Sequence, residues 1–401
     1  MRRRDALKLG LSALVCLPLS ARVLSVRAAV QSRARPRHFV SLFLSGGIDA
    51  IFTTDPKTTK DVEAWVDVPY APKEIVDAGG MRLGPHFASL AKHAPRIAIV
   101  NGVQVRTANH NTGREQFLRM RTGTRPDMPT VMQAIGLGKT TQAVGCMTWQ
   151  YGSPQMQSLF DETTPDDLLR MARALRAQKG LAEHGVEGRV ASENAAEAAT
   201  LCERVAKTPR MKVETWSADA DAQRFAVSLQ RVLWVLENDL ARAFELNVGG
   251  IDQPWDTHSF NTERQTKMAR MIPMVARFFA ELASRKTARG ALADETLVVT
   301  GSEIGRYPGI NGQKGKDHLP EVPLVFFGAG IDAGSRGATY GRTGKKMESL
   351  AVSLRTGKDE AGGHTLVLDD VGTTLLHLAG VADPSAYGYR GRVLEFLVGG
   401  A

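Results

Sequence analysis

Apolar residues form a near-continuous run at His38-Phe39-Val40-Ser41-Leu42-Phe43-Leu44, which closes on Ser45-Gly46-Gly47. A run of this kind suits a strand buried on both faces of a parallel sheet and opening into a tight loop. Similar segments recur at Arg96 to Val100, Glu295 to Thr300 and Pro323 to Phe327. Between them the spacing turns helical, at Pro85 to His93, Thr112 to Met120, Gln265 to Arg285 and Leu368 to Leu378. Thr122-Gly123-Thr124-Arg125-Pro126 stops the second of these helices, and Gly380 ends the last. Strands interleaved with helices predict an α/β fold with a mainly parallel sheet covered on both faces.

From about Thr163 to Asn247 the chain becomes rich in Ala, Arg, Glu and Leu. Helical patterns run over Asp166 to Gln178, Ser192 to Ala206 and Asp221 to Phe244, and strand signals are nearly absent. Residues 163–247 therefore read as an α-helical insertion or cap within one domain spanning 38–401. The charge on these helices is a solvated face or, alternatively, a partner surface.

The first residues, Met1-Arg2-Arg3-Arg4-Asp5-Ala6-Leu7-Lys8, lead into an apolar stretch from Leu9 to Leu19 and a small-residue exit near Ala28 and Ala29. This is the pattern of an export signal over residues 1–29, and its arginine pair resembles a twin-arginine leader. The expected partner is the twin-arginine export machinery, and the expected location is periplasmic or extracellular. The apolar run is short for a bilayer, so no stable membrane span is expected after cleavage. The formal charge of +9 falls to about +4 once the signal is removed. No aromatic-interleaved basic stripe is present, which argues against nucleic acid as a partner. Cys146 and Cys202 remain after cleavage, and either one disulfide or two free thiols fits.

Candidate chemistry gathers where predicted strands end. Asp49 follows Gly46-Gly47, Asp256 and His258 flank Thr257, and Asp317-His318 precede an apolar strand. Carboxylates with imidazoles are the ligand mix of a metal-dependent hydrolase. Residues two apart in an extended loop project the same way, so Asp256 and His258 can face one ion. Asp252 is an outer carboxylate or a turn residue. Glu303 at the mouth of a buried strand is either a ligand or the salt-bridge partner of Arg306. The glycine-rich loop Gly309 to Gly315 lacks the strand-then-helix framing of a phosphate-binding loop, and reads instead as a flap delivering Asp317 and His318. Thr112 is a candidate nucleophile at a helix start, or an N-cap with Glu115 three residues on. Thr107, Asn109, His110 and Arg114 are candidates for holding an anionic group.

Four stretches taken in order carry a resemblance: Phe43-Leu44-Ser45-Gly46-Gly47-Ile48-Asp49, Trp255-Asp256-Thr257-His258, Ser302-Glu303-Ile304-Gly305-Arg306 and Gly315-Lys316-Asp317-His318. With the leader, they resemble the exported family called domain of unknown function 1501. That family is similar in turn to the alkaline phosphatase and sulfatase superfamily. The resemblance implies a three-layer α/β/α alkaline-phosphatase-like core and hydrolysis of phosphate or sulfate esters with divalent metal. Zinc or manganese is expected, calcium or magnesium being the alternatives. One ion would fall to Asp256, His258 and His318, and a second to Asp49, Glu303 and Asp317. Thr112 or a water would attack, with Arg114 or Arg306 offsetting charge on the transferring group. Where the superfamily carries Asp-His, this chain has Glu303-Ile304, one imidazole fewer. The small anionic ester is the expected substrate. The alternative is a non-catalytic envelope protein that keeps the fold to bind a protein partner.

Overall fold

The computed structural model describes residues 35–123, 127–135, 146–149, 165–177, 185–248 and 255–399. The expected export signal and Asp252 lie outside the described residues. The central sheet holds β1 (His38–Phe43), β2 (Ile97–Gln104), β3 (Cys146–Trp149), β4 (Ala243–Asn247), β5 (Thr296–Gly301), β6 (Glu321–Gly328) and β7 (Ala338–Tyr340). Their order across the sheet is β7-β2-β6-β5-β1-β4-β3. β1 pairs in parallel with β4 and β5, β3 with β4, and β7 with β2. β6 alone among these strands runs antiparallel, to both β2 and β5.

The direction of β6 determines where the chemistry meets. A parallel strand would bring the residues preceding it to the opposite edge of the sheet. Because β6 is reversed, Lys316, Asp317 and His318 arrive at the edge where β1 and β5 leave, beside Asp49 and Glu303. Ligand sites in open α/β sheets form at that edge.

The longer helices among the described residues are α1 (His110–Arg119), α2 (Met128–Ala134), α3 (Pro165–Arg176), α4 (Gly185–Lys207), α5 (Ala220–Glu237), α6 (Asn261–Ala269), α7 (Ile272–Ser284) and α8 (Leu368–Leu378). Side chains alternate across a strand. Val40, Leu42 and Leu44 enter one core with α5 and α7, while Phe39 and Phe43 enter a second with α1, α2 and α8. Helices thus cover both faces, and the expected three-layer α/β/α arrangement is present.

Several boundaries differ from the sequence reading. The helix expected over Asp221 to Phe244 ends at Glu237, where Asn238 caps it and Asp239 takes a left-handed φ of 52°. The residues beyond form β4, whose five positions are all buried beside β1. A short apolar run cannot be told from a helix segment by period alone. The segment 163–247 therefore includes a central strand, and α5 is a core helix of the sheet rather than part of a cap. The long helix expected over Gln265 to Arg285 is two, α6 and α7, with Pro273 at the start of the second. Proline has no N–H to continue a helix but fits a first turn. Cys146–Trp149 is a strand where the sequence reading assigned none. Cys202 on α4 carries a free thiol.

Candidate metal centre

The loop leaving β1 turns on Gly46 and Gly47, with φ of 116° and 100°. A Cβ on Gly47 would stand 2.7 Å from the Arg306 guanidinium, so the glycine leaves room for that group. The Gly46 amide donates to Glu303 Oε1 at 2.8 Å. Helix α1 starts beside the same carboxylate. Its N-cap is Asn109, whose side chain accepts from the Thr112 amide at 3.0 Å, so the capping role considered for Thr112 belongs to Asn109.

His110 is the first helical residue, and its Nδ1 lies 2.8 Å from Glu303 Oε1. The approach of α1 depends on Gly113, where a Cβ would meet the Glu303 carbonyl oxygen at 2.7 Å. We expect Gly113→Ala to cost about 1–3 kcal/mol through this overpacking, read as a lowered denaturation midpoint. An unchanged midpoint would show that α1 can shift freely.

Two further segments complete the cluster. Gly305–Arg306 pairs antiparallel with His318–Leu319, setting Arg306 opposite His318. The loop bearing Asp256 and His258 is tied to this ribbon by the Lys316 amide, which donates to Thr257 O at 3.0 Å. Gly315 permits the contact, since a Cβ there would fall 1.9 Å from the His258 carbonyl oxygen.

One potential ligand atom from each of His110, Asp256, His258 and His318 lies within 4.8 Å of the others. The ring centroid of His318 is 4.3 Å from that of His110 and 4.5 Å from that of His258. His110 Nε2 and His318 Nε2 are buried and have no hydrogen-bond partner. Their Nδ1 atoms are committed, to Glu303 and to the Ala108 carbonyl oxygen respectively. A carbonyl accepts only from N–H, which assigns the His318 proton to Nδ1 and leaves a lone pair on Nε2. The carboxylate of Glu303 imposes the same arrangement on His110. His258 Nδ1 lies 2.5 Å from Asp256 Oδ1. Ring nitrogens held from behind and left open in front are the usual preparation for a metal. The residues present thus fit a divalent cation, and three imidazoles with one carboxylate suit zinc, with manganese as the alternative.

The electrostatics agree with that geometry. Burial raises the Asp256 carboxyl, but Arg306, His258 and His110 together hold it below its ordinary value. Burial pushes the His318 imidazole below its usual range, and His110, Arg306 and His258 add to the effect against the Ala108 hydrogen bond. An ionised carboxylate and a neutral imidazole are the protonation states a metal requires.

The other sequence candidates have different surroundings. Asp49 Oδ2 accepts from Lys316 Nζ at 2.8 Å and Asn261 Nδ2 at 3.0 Å, and its Oδ1 accepts from the Ile51 amide. Asp49, Glu303 and Asp317 form no convergent group among the described residues. Asp317 is exposed and meets Asn311 Nδ2 at 3.1 Å. Arg306 is buried, with Nη2 on Asp256 Oδ1 at 2.9 Å and on the Gly46 carbonyl, and Nη1 on the Lys316 carbonyl at 3.0 Å. Arg114 lies over the Phe43 ring, 6.0 Å from its centroid, and its charge acts on buried Glu245 of β4. Burial pushes that carboxyl up to about 8, Asp127 adds to it and Arg114 opposes it. Thr112 is exposed on the first turn of α1.

Sequence reasoning grouped His110 with anion-holding residues and gave Lys316 no role. The Asn109-His110 pair ahead of a helix start was the available sign of the first. Lys316 has no local signal, because its partner lies 267 positions away.

Residues 234–392 match the family model described as "Protein of unknown function (DUF1501)". No curated protein matches the chain. Among solved structures, the chain is similar to Ps i-CgsB at 12% identity and a TM-score of 0.40, over 89% of this chain and 75% of that one. It is similar to BT1596, a 2-O GAG sulfatase, at 12% identity and 0.35, over 92% and 75%. A third similar structure is the phosphonate monoester hydrolase SpPMH from Silicibacter pomeroyi, at 12% identity and 0.34, over 90% and 76%.

Proposed function

We propose that this protein is an exported hydrolase of phosphate or sulfate esters that works with one divalent ion. The observation that carries the reading is the pair of buried Nε2 atoms on His110 and His318 that have no hydrogen-bond partner, the first lying 3.6 Å from Asp256 Oδ2. They converge with His258 and an Asp256 carboxylate held ionised. These four residues would hold the ion, zinc or manganese by their chemistry. A divalent ion there supplies Lewis acidity toward an ester oxygen.

The surrounding residues position the ligands. Glu303 fixes the His110 tautomer, and Arg306 orients Asp256 and balances its charge. Arg306 spends both terminal nitrogens on protein oxygens, so it acts on the ester through Asp256. The spacing of a helix turns Thr112 about 200° away from His110, which makes a solvent water the better nucleophile. Export rests on the Arg2-Arg3 leader. No helix among the described residues is long and apolar enough to cross a membrane.

Full-length protein purified without chelator is expected to carry about one zinc or manganese per chain by mass spectrometry. It should also turn over members of a panel of aryl phosphates and sulfates. A His258→Ala, His318→Ala double variant should lose the metal and the turnover together. Unchanged metal content in the variant would remove the assignment. Metal retained by the wild type with no turnover on any ester would favour the non-catalytic binding protein.

A further inference from the structure

Along β1, β4 and β5, the sheet face under α1, α2 and α8 is apolar except at three adjacent positions. Ser41 lies between Phe39 and Phe43 on that face, and the parallel register sets Glu245 beside Ser41 and Asn247 beside Phe43. These three residues are 2%, 3% and 4% exposed. Ser41 Oγ, Glu245 Oε2 and Asn247 Oδ1 are all buried without a hydrogen-bond partner. Their Cα atoms are about 4.8 Å apart across the strands and about 6.6 Å apart along β4, which brings the three side chains within reach of one small ligand. Buried polar atoms are nearly always paired, so three open oxygens side by side call for one. Asp127, just ahead of α2, and Arg114 of α1 are the charged groups that act on Glu245. Both are half-buried, they act in opposite senses, and neither hydrogen-bonds Oε2. The carboxylate therefore has no counter-ion of its own in the protein.

We infer that Ser41, Glu245 and Asn247 form a second cation site, built for a monovalent metal ion such as sodium or potassium. It lies within the layer between sheet and helices and shares no residue with the centre formed by His110, Asp256, His258 and His318. A carboxylate, a hydroxyl and an amide carbonyl offer oxygen alone, the donor set of hard cations rather than of zinc. An ionised carboxylate in an apolar layer is costly by itself, and a single positive charge beside it cancels that charge. A divalent ion would leave a surplus charge in the same layer, and calcium would call for about six oxygens or more. Burial first, and Asp127 after it, push the Glu245 carboxyl up to about 8 against Arg114, so an ion there competes with a proton.

Thermal unfolding of the full-length protein in different chloride salts reads this site without any turnover. The runs are made at pH 9, where the carboxyl is ionised, and at matched ionic strength. Tetramethylammonium, too large to sit between neighbouring side chains, is the reference. Sodium or potassium at ten times its Kd is expected to raise Tm by about 3–5 °C over that reference. The ion giving the larger rise is the one the site selects. Glu245→Gln keeps the shape and removes the charge, and should reduce the rise to about one degree or less. Ser41→Ala should weaken binding about ten-fold, which at the same salt leaves about a third of the rise. Equal Tm in all three salts would overturn the inference and leave ordered water as the partner of these oxygens. A full rise retained by Glu245→Gln would also overturn it, as would a full rise in Ser41→Ala should the first variant not fold. Calcium giving a larger rise than either monovalent ion, and losing it in Glu245→Gln, would overturn the assignment of charge. Zinc content should be the same in wild type and both variants, which separates loss of this site from loss of the centre at the sheet edge.

Discussion

Zinc affinity should fall on the order of a hundred-fold or more when His110 is replaced by alanine, as severely as for His258 or His318. His110 presents a buried Nε2 that makes no hydrogen bond and faces Asp256 Oδ2 at 3.6 Å, so removing it deletes a metal-donor atom and opens the centre to water. Glu303→Gln should produce a smaller loss, about ten- to hundred-fold. The amide still fills the space but no longer requires a proton on His110 Nδ1, and the ring is free to reverse. Equilibrium dialysis against a zinc-buffered solution reads both. His110→Ala with wild-type affinity would reduce the centre to Asp256, His258 and His318. Glu303→Gln behaving like His110→Ala would instead mean that Glu303 contacts the ion directly.

Lys316→Met is expected to destabilise the fold by about 3–5 kcal/mol, because Asp49 is left charged, buried and without its partner. The corresponding fall in Tm is roughly 5–10 °C. The double variant Asp49→Asn, Lys316→Met should recover most of that loss, since two neutral groups of similar size replace the pair. A single-variant Tm within one degree or so of the wild type, or a double variant no better than the single, would show that the pair is solvated in solution. The pair also anchors the ribbon carrying His318, so metal affinity should follow Tm across these variants.

The parts of this protein set by nearest neighbours were legible in its sequence. His38 to Phe43 could be read as a strand buried on both sides because Phe39 to Phe43 are apolar except for the small Ser41. Asp256 and His258 could be read as partners because two residues in extended backbone project together, and the structure brings them within one small cluster. Leu368 to Leu378 kept its predicted limits because apolar spacing and a following glycine mark both ends. Reading stopped where one pattern serves two structures. Ala243 to Asn247 continues the period of the helix before it, and only a left-handed residue at Asp239 breaks the helix there.

The fates of individual carboxylates were equally hidden. Asp49, Glu303 and Asp317 all looked like ligands, since an acid near a glycine turn has the same sequence signature whether it meets a metal, a lysine or an amide. Their roles depend on groups hundreds of positions away in some cases: Lys316 for Asp49, and His110 with Gly46 for Glu303. No local rule encodes such distances.

By itself, then, the amino-acid sequence determined the alternation of buried strands and amphipathic helices, and it supplied the acids and imidazoles at the strand ends. Tertiary structure alone decided that β6 runs against its neighbours, which carries His318 to the edge where His110 and Asp256 wait. It also decided which nitrogens are free and which acids are already neutralised. Strand direction and hydrogen-bond commitment are properties of packing between distant segments, and the periodicity of a single segment carries no information about either.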